Sequence, residues 1–175
     1  MNGMKDSVGA KGRFIAICTD SNGNEKWKAF QPNLVMNDGL SYMNSVAFDE
    51  TISKPKWFIG LFGSEKNNTP DATDTAQSHP GWVELTNYVG DTRPEAVFAN
   101  ASKENPSVIS NAKSSAKFVA NEEVVVGGAF LINSAQKGSS SGVLFSAAYF
   151  ASIGDRTLFA GDILNVVYEF YLGRV

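Results

Sequence analysis

"GDILNVVYEFYL", residues 161 to 172, decides the fold. Leu164, Val166, Tyr168, Phe170 and Leu172 take every second position and share one face of an extended chain. Asn165, Val167, Glu169 and Tyr171 take the other face. A period of two with an apolar face inward is the pattern of a strand in an antiparallel sheet that covers a core. Two further long strand stretches lie just upstream, "EEVVVGGAFLINS" (122–134) and "SGVLFSAAYFA" (141–151). "AQKGSSS" and "SIGDRTLFAG" separate the three as turns. Gly127 and Gly128 interrupt the first of them, which predicts a bulge or sharp bend that lets a strand cross between sheets.

Towards the N-terminus, "RFIAICT" (13–19) and "EKWKAF" (25–30) flank "DSNGN", an Asn-Gly turn signal, and so predict a β-hairpin. Asp38 is the expected N-cap of one short helix near residues 38–47, with Leu40, Met43, Val46 and Ala47 at helical spacing. "KWFIGLFG" (56–63) is a short apolar run that fits a strand buried on both faces, and "WVELTNY" (82–88) resumes strand character. Between them residues 64–81 form a long polar loop, a length that is usually functional or tied down by its own contacts. Short strands are also expected at "AVFAN", "SVISN" and "AKFVA". The sum is an all-β fold, an antiparallel β-sandwich of jelly-roll type spanning 13–175, with residues 1–12 as a flexible N-terminal arm.

Composition is consistent with one globular domain. The 175 residues are 43% hydrophobic and include 12 phenylalanines, and they carry 15 basic and 18 acidic groups for a net charge of -3. A chain of this size buries roughly 70% of its unfolded surface and needs no disulfide or metal to fold. No basic stripe follows a phosphate backbone, which argues against nucleic-acid binding. No apolar run approaches the ~20 residues that span a bilayer, and the first twelve lack the apolar centre of a signal peptide. The chain therefore reads as made in a reducing cytoplasm, with no membrane partner.

Chemistry is sparse. His79, in "SHPGWVEL" (78–85), is the single histidine and would have to serve any Ser-His or Cys-His site. "GSSSG" (138–142) is no nucleophile elbow, because nothing after it looks like a helix. Cys18 alternates with Phe14 and Ala16 and reads as a small buried residue. Asp71 and Asp74 lack the ligand ladder of a calcium loop and read as solvated loop carboxylates. Glu122 and Glu123 point to opposite faces of a strand and form no catalytic pair. No phosphate loop or dinucleotide fingerprint is present. The expectation is a protein with no catalytic residues, no metal and no cofactor. Its aromatic residues are the more useful signal. Trp57 and Trp82 are expected mainly in the core, whereas Trp27, flanked by Lys26 and Lys28, is expected to be partly exposed. Trp27, Lys26, Lys28, Asp71 and Asp74 are the candidate contact residues.

Five stretches together carry a resemblance. "EKWKAFQPNLVMNDGLSYM" is followed by "KWFIGLF", then "DTAQSHPGWVELTNYVGDTRPEAVF", then "GVLFSAAYF" and the closing "GDILNVVYEFYL". This order, covering roughly residues 25–172, resembles small virion structural proteins of tailed bacteriophages, most of all capsid decoration or cement proteins. The middle block is the specific part. The resemblance implies a non-enzymatic β-sandwich on the capsid surface that bridges neighbouring capsomers. Its partners would be the major capsid protein and itself, as a homodimer or homotrimer, and it would reside in the virion. The alternative is a tail or head-fibre adaptor, or a receptor module that stacks sugars on exposed aromatics. A glycan-degrading enzyme would need two carboxylates converging in a cleft.

Overall fold

The computed structural model describes residues 7–63 and 69–174. In chain order its first elements are β1 (Val8–Thr19), β2 (Glu25–Pro32), β3 (Leu34–Val35), the helix α1 (Asn37–Phe48), β4 (Phe58–Phe62) and β5 (Glu84–Leu85). There follow β6 (Ser107–Ser110), β7 (Ala116–Val119), β8 (Val124–Val126), β9 (Gly128–Ile132), β10 (Leu144–Tyr149), β11 (Arg156–Leu158) and β12 (Ile163–Arg174). One sheet runs β2-β1-β12-β6, with β7 pairing further along β12; the other runs β3-β10-β9-β4-β5, and β8 and β11 form a small ladder of their own. All the strand pairings are antiparallel. The chain is an all-β sandwich, with one α-helix among the described residues. Its strand order leaves the jelly-roll version of that sandwich unconfirmed.

The alternation in the last strand holds as far as Tyr168; beyond it Phe170 is half-buried and Leu172 exposed. Leu164, Val166 and Tyr168 are buried, and they meet Phe14, Ala16 and Cys18 of the neighbouring strand and Ile59, Leu61, Leu131 and Phe145 of the opposite sheet in one core. A second, smaller cluster lies around Trp82, joining Phe62, Phe130, Ile132, Leu144 and Ala147. The β4-β9-β10 sheet thus supplies residues to both clusters, which explains why its strands read as continuous apolar runs rather than alternating ones. Close packing here requires glycine: a Cβ on Gly60 would lie 2.1 Å from the Phe130 ring.

Several expectations are corrected. β1 begins at Val8, and residues 8–12, assigned above to the arm, pair with 170–174 of β12; residues 1–6 of that arm lie outside the described residues. The stretch 122–134 is two strands rather than one. β8 pairs with β11 and β9 joins the main sheet, with the break at Gly127, whose N–H donates to the Phe62 carbonyl. "AVFAN" makes no strand; its neighbour Glu95 forms only an isolated bridge with Phe58. "WVELTNY" is strand only at Glu84–Leu85. Asp38 is not the cap of α1: Met36 is the N-cap residue, and Asp38 lies in the first turn. The helix is held instead by tertiary contacts. The Met36 N–H donates to the Phe145 carbonyl and the Asn37 N–H to the Ala72 carbonyl, each at 2.9 Å. Gly39 rests on β10 so closely that a Cβ would come within 2.5 Å of the Phe145 carbonyl oxygen.

Candidate functional site

Two regions stand out against this frame, and they differ in kind. The first is the polar loop from residue 69 to β5. Trp82, 2% exposed, is its anchor. The indole ring packs between Phe62 and Phe130, with centroids 5.1 and 5.0 Å away, and its Nε1–H donates to Asp74 Oδ2 at 2.8 Å. The same oxygen accepts the Asp71 N–H at 3.0 Å, so Asp74 is buried and committed within the loop rather than solvated. Asp71 accepts the Thr73 N–H and hydroxyl, and these bonds, the hydroxyl's first, hold its carboxyl below the ordinary carboxylate value. His79 lies flat on the outer face of Trp82, with centroids 3.9 Å apart, and its Nδ1 is 3.1 Å from the Trp82 carbonyl oxygen. His79 caps a tryptophan and bonds to backbone.

Beside Trp82, Arg93 is buried over the face of Phe130 and grips Glu84 with two bonds of 2.7 Å, Nε to Oε1 and Nη2 to Oε2. Its Nη1 donates to the Ser134 carbonyl, and Glu84 Oε2 also accepts the Gly138 N–H from the "GSSSG" turn. A buried pair of this kind needs further hydrogen bonds to offset its desolvation, and the Ser134 carbonyl and Gly138 N–H supply two. A pocket of about 260 Å³ lies alongside, lined by His79, Glu84, Arg93, Ser139 and Ser140 among others. Its charged members are already spent on each other. Among the described residues no group of three or more His, Cys, Asp or Glu is placed to hold a metal ion. Cys18 is remote from this loop and buried in the main core, where desolvation pushes its thiol up to about 11 and keeps it protonated at neutral pH.

The second region was not singled out from sequence. Where the two sheets part, beneath α1, an open groove of about 620 Å³ runs along the sandwich. Its floor is Leu131, Phe145 and Tyr168, with Trp57, Phe98, Ile109 and Phe170 along the walls. Tyr42, Met43, Val46, Ala47 and Phe48 of α1 form one side, and Val8 and Leu172 lie at the β1-β12 end. None of these residues carries a charge at neutral pH. Trp57, expected in the core, is instead half-buried in this wall, edge-on to both Tyr42 and Phe145. Phe48 is 90% exposed. Of the apolar stripe read on α1, Met43 and Val46 are half-buried while Leu40 and Ala47 are exposed. The signal available in the sequence was a helix with no charged residue from Gly39 to Phe48, which an ordinary surface helix would carry on its outer face.

The remaining candidates are placed as follows. Trp27 is half-buried against the main core. Lys26 is paired with Asp162 and sits 4.7 Å over the Phe159 ring. Lys28 is exposed, 6.0 Å from the Phe30 ring. Asp162 also accepts the Phe159 N–H, so the Lys26 pair closes a turn. The structure does not bring Trp27, Lys26 and Lys28 together with Asp71 and Asp74 into one site. Comparison with protein-family models, with curated proteins and with solved structures finds no match for the chain.

Proposed function

We propose that this chain is a non-enzymatic virion structural protein of a tailed bacteriophage, a decoration protein that binds the outside of the capsid shell and bridges capsomers. The observation that carries the reading is the contrast within the candidate site. Asp74, Glu84 and Arg93 are occupied by hydrogen bonds within their own region, whereas an uncharged apolar groove lies open, a surface suited to assembly rather than turnover. Contiguous exposed apolar surface of this kind marks an interaction site. The resemblance carried by the stretches from residue 25 to 172 supports the major capsid protein as the partner.

Such a protein stabilises a shell by mass action, because it binds assembled capsomers and not separated ones. Repetition over a symmetric lattice multiplies modest affinities into firm retention. The competing reading is a fibre module stacking sugars on exposed aromatics, and the residues first considered for it, Trp27 and those of the loop before Trp82, give it little support. Trp82 is covered by His79, and Trp27 packs on the core. Cosedimentation of the purified protein with expanded capsids lacking it tests the proposal. Binding in hundreds of copies per particle, with a raised capsid melting temperature, is the expected result. Failure to bind heads, with recovery on tails or fibres at a few copies, would overturn it.

A further inference from the structure

We propose that the outer face of the β2-β1-β12 sheet is a docking surface for an acidic protein, separate from the groove beneath α1. Register sets out this face row by row, because residues paired across an antiparallel sheet point to the same side. Phe30, Ile15 and Val167 form one row. The next row holds Lys28, Ile17, Asn165 and Lys117, one from each of four strands. On the other side of the apolar row Arg13 pairs with Glu169, and beyond that Lys11 pairs with Tyr171. The alternate residues Phe14, Ala16, Cys18, Leu164 and Val166 are buried, which fixes these rows on the outside. None of the outer residues lines the groove.

This face departs from an ordinary water-facing sheet in two ways. Its centre is apolar where alternation should place polar residues: Ile15, Ile17 and Val167 are half-buried, and Phe30 is 51% exposed. Its rim carries mainly one sign of charge. Lys11, Arg13, Lys26, Lys28 and Lys117 stand against two carboxylates, Glu25 and Glu169, in a chain whose net charge is -3. Arg13 is held by Glu169 and Lys26 by Asp162. Lys11, Lys28 and Lys117 are exposed and have no carboxylate partner among the described residues. The rest of the chain is left with ten basic groups and sixteen acidic ones, so the fold gathers positive charge here. An apolar centre inside a charged rim is how protein interfaces are built. The sign of the rim selects the occupant. Carboxylates of a partner are drawn to it, whereas a second copy meeting it face to face sets lysine against lysine. A nucleic-acid backbone matches the charge but gains nothing from covering isoleucine and valine.

The test is binding of the full chain, by fluorescence anisotropy, to a labelled random copolymer of glutamate and tyrosine, which offers carboxylates and apolar rings together. A DNA duplex and phosphatidylserine vesicles are the other two anionic probes. Binding to the copolymer should weaken about tenfold between ~0.01 M and ~0.15 M salt, as the Debye length falls from about 30 Å to about 8 Å. At the higher salt the copolymer should still be preferred to the other two probes. Lys28→Glu/Lys117→Glu should lose about tenfold or more at low salt, since both positions then repel the probe. Phe30→Ser keeps every charge and should lose about fivefold, the share of the apolar centre. Phe48→Ser alters the groove and should bind the copolymer as wild type does. Thermal melting is the folding control, and these surface changes should leave it within a degree or two of wild type, roughly the effect of 0.5 kcal/mol or less. Absence of copolymer binding at low salt would overturn the inference, as would binding that survives the double charge reversal or ignores Phe30→Ser. Tighter binding to the duplex or the vesicles would overturn it too, by assigning the face to phosphate. The capsid reading is untouched by any of these outcomes, since it is tested on shells and rests on the groove.

Discussion

The loop anchored by Trp82 and the helix ending in Phe48 both lie outside the main core, and they treat their side chains in opposite ways. In the loop, an aromatic ring is buried and its one polar atom is matched to Asp74. Beyond it a guanidinium and a carboxylate are buried and matched to each other and to backbone. On the helix, aromatic and aliphatic groups are left without a covering layer. The residues that look like chemistry in the sequence, a histidine, two aspartates, a glutamate and an arginine, are the ones fully occupied in holding a loop. The residues that look like filler border the unfinished surface. Matched polar groups hold structure here, and the unmatched apolar area is where the proposed function is placed.

The sharpest way to break this comparison is Arg93→Ala. It strands the Glu84 carboxylate in a buried site and should cost about 3–5 kcal/mol in denaturant unfolding. A loss near zero would mean that the pair is not structural and that the pocket beside it deserves a ligand search. Gly39→Ala comes next. Its new Cβ meets the Phe145 carbonyl oxygen, so the helix must shift off β10, at about 1–3 kcal/mol and with altered fluorescence of Trp57 in the groove wall. His79→Ala should lose roughly 0.5–1.5 kcal/mol, the worth of an aromatic stack, if the ring only caps Trp82. A much larger loss would show that the imidazole's bond to the backbone fixes the whole loop.

On the other side of the comparison, Phe48→Ser should change monomer stability by less than about 0.5 kcal/mol, since the ring touches water rather than core. The smallest effect is one that the two regions share. Asp49 at the end of α1 and Asp71 in the loop each accept the hydroxyl and N–H of a threonine two residues on, at 2.6–2.9 Å. Both carboxyls are held below their ordinary value of 3.8, first by the hydroxyl and then by the backbone bond. A carboxyl lowered in the folded state adds stability above its unfolded value, and that stability is lost as pH falls through the folded value. Both should therefore titrate below pH 3.8 in a carbon-detected NMR titration, and Thr51→Val and Thr73→Val should each return its own aspartate towards it. Unequal behaviour would show that the two turns are not alike.

How far the sequence could be read follows the range of the forces involved. Alternation in 163–174 reports burial directly, because side chains alternate by geometry whatever they pack against. The Asn-Gly turn at 20–24 was legible for the same local reason: Gly23 takes a φ of +86°, and Asp20 accepts the N–H groups of Asn22 and Asn24. The start of β1 at Val8 was not legible. "VGAKG" has little strand propensity of its own and is held by five pairings with a strand some 160 residues away. The cap of α1 was misread for a related reason: the carbonyls of Phe145 and Ala72 accept the N–H groups of Met36 and Asn37, so the helix starts before Asp38.

The sequence by itself determined the all-β class, the place of the single helix and the burial of Cys18, because each rests on periodicity or composition. Tertiary structure alone decided that Asp74 and Glu84 are consumed internally and that α1 stands over an open groove. Partnering of polar groups and gaps between packed elements are properties of long-range geometry, and no local pattern of residues encodes them.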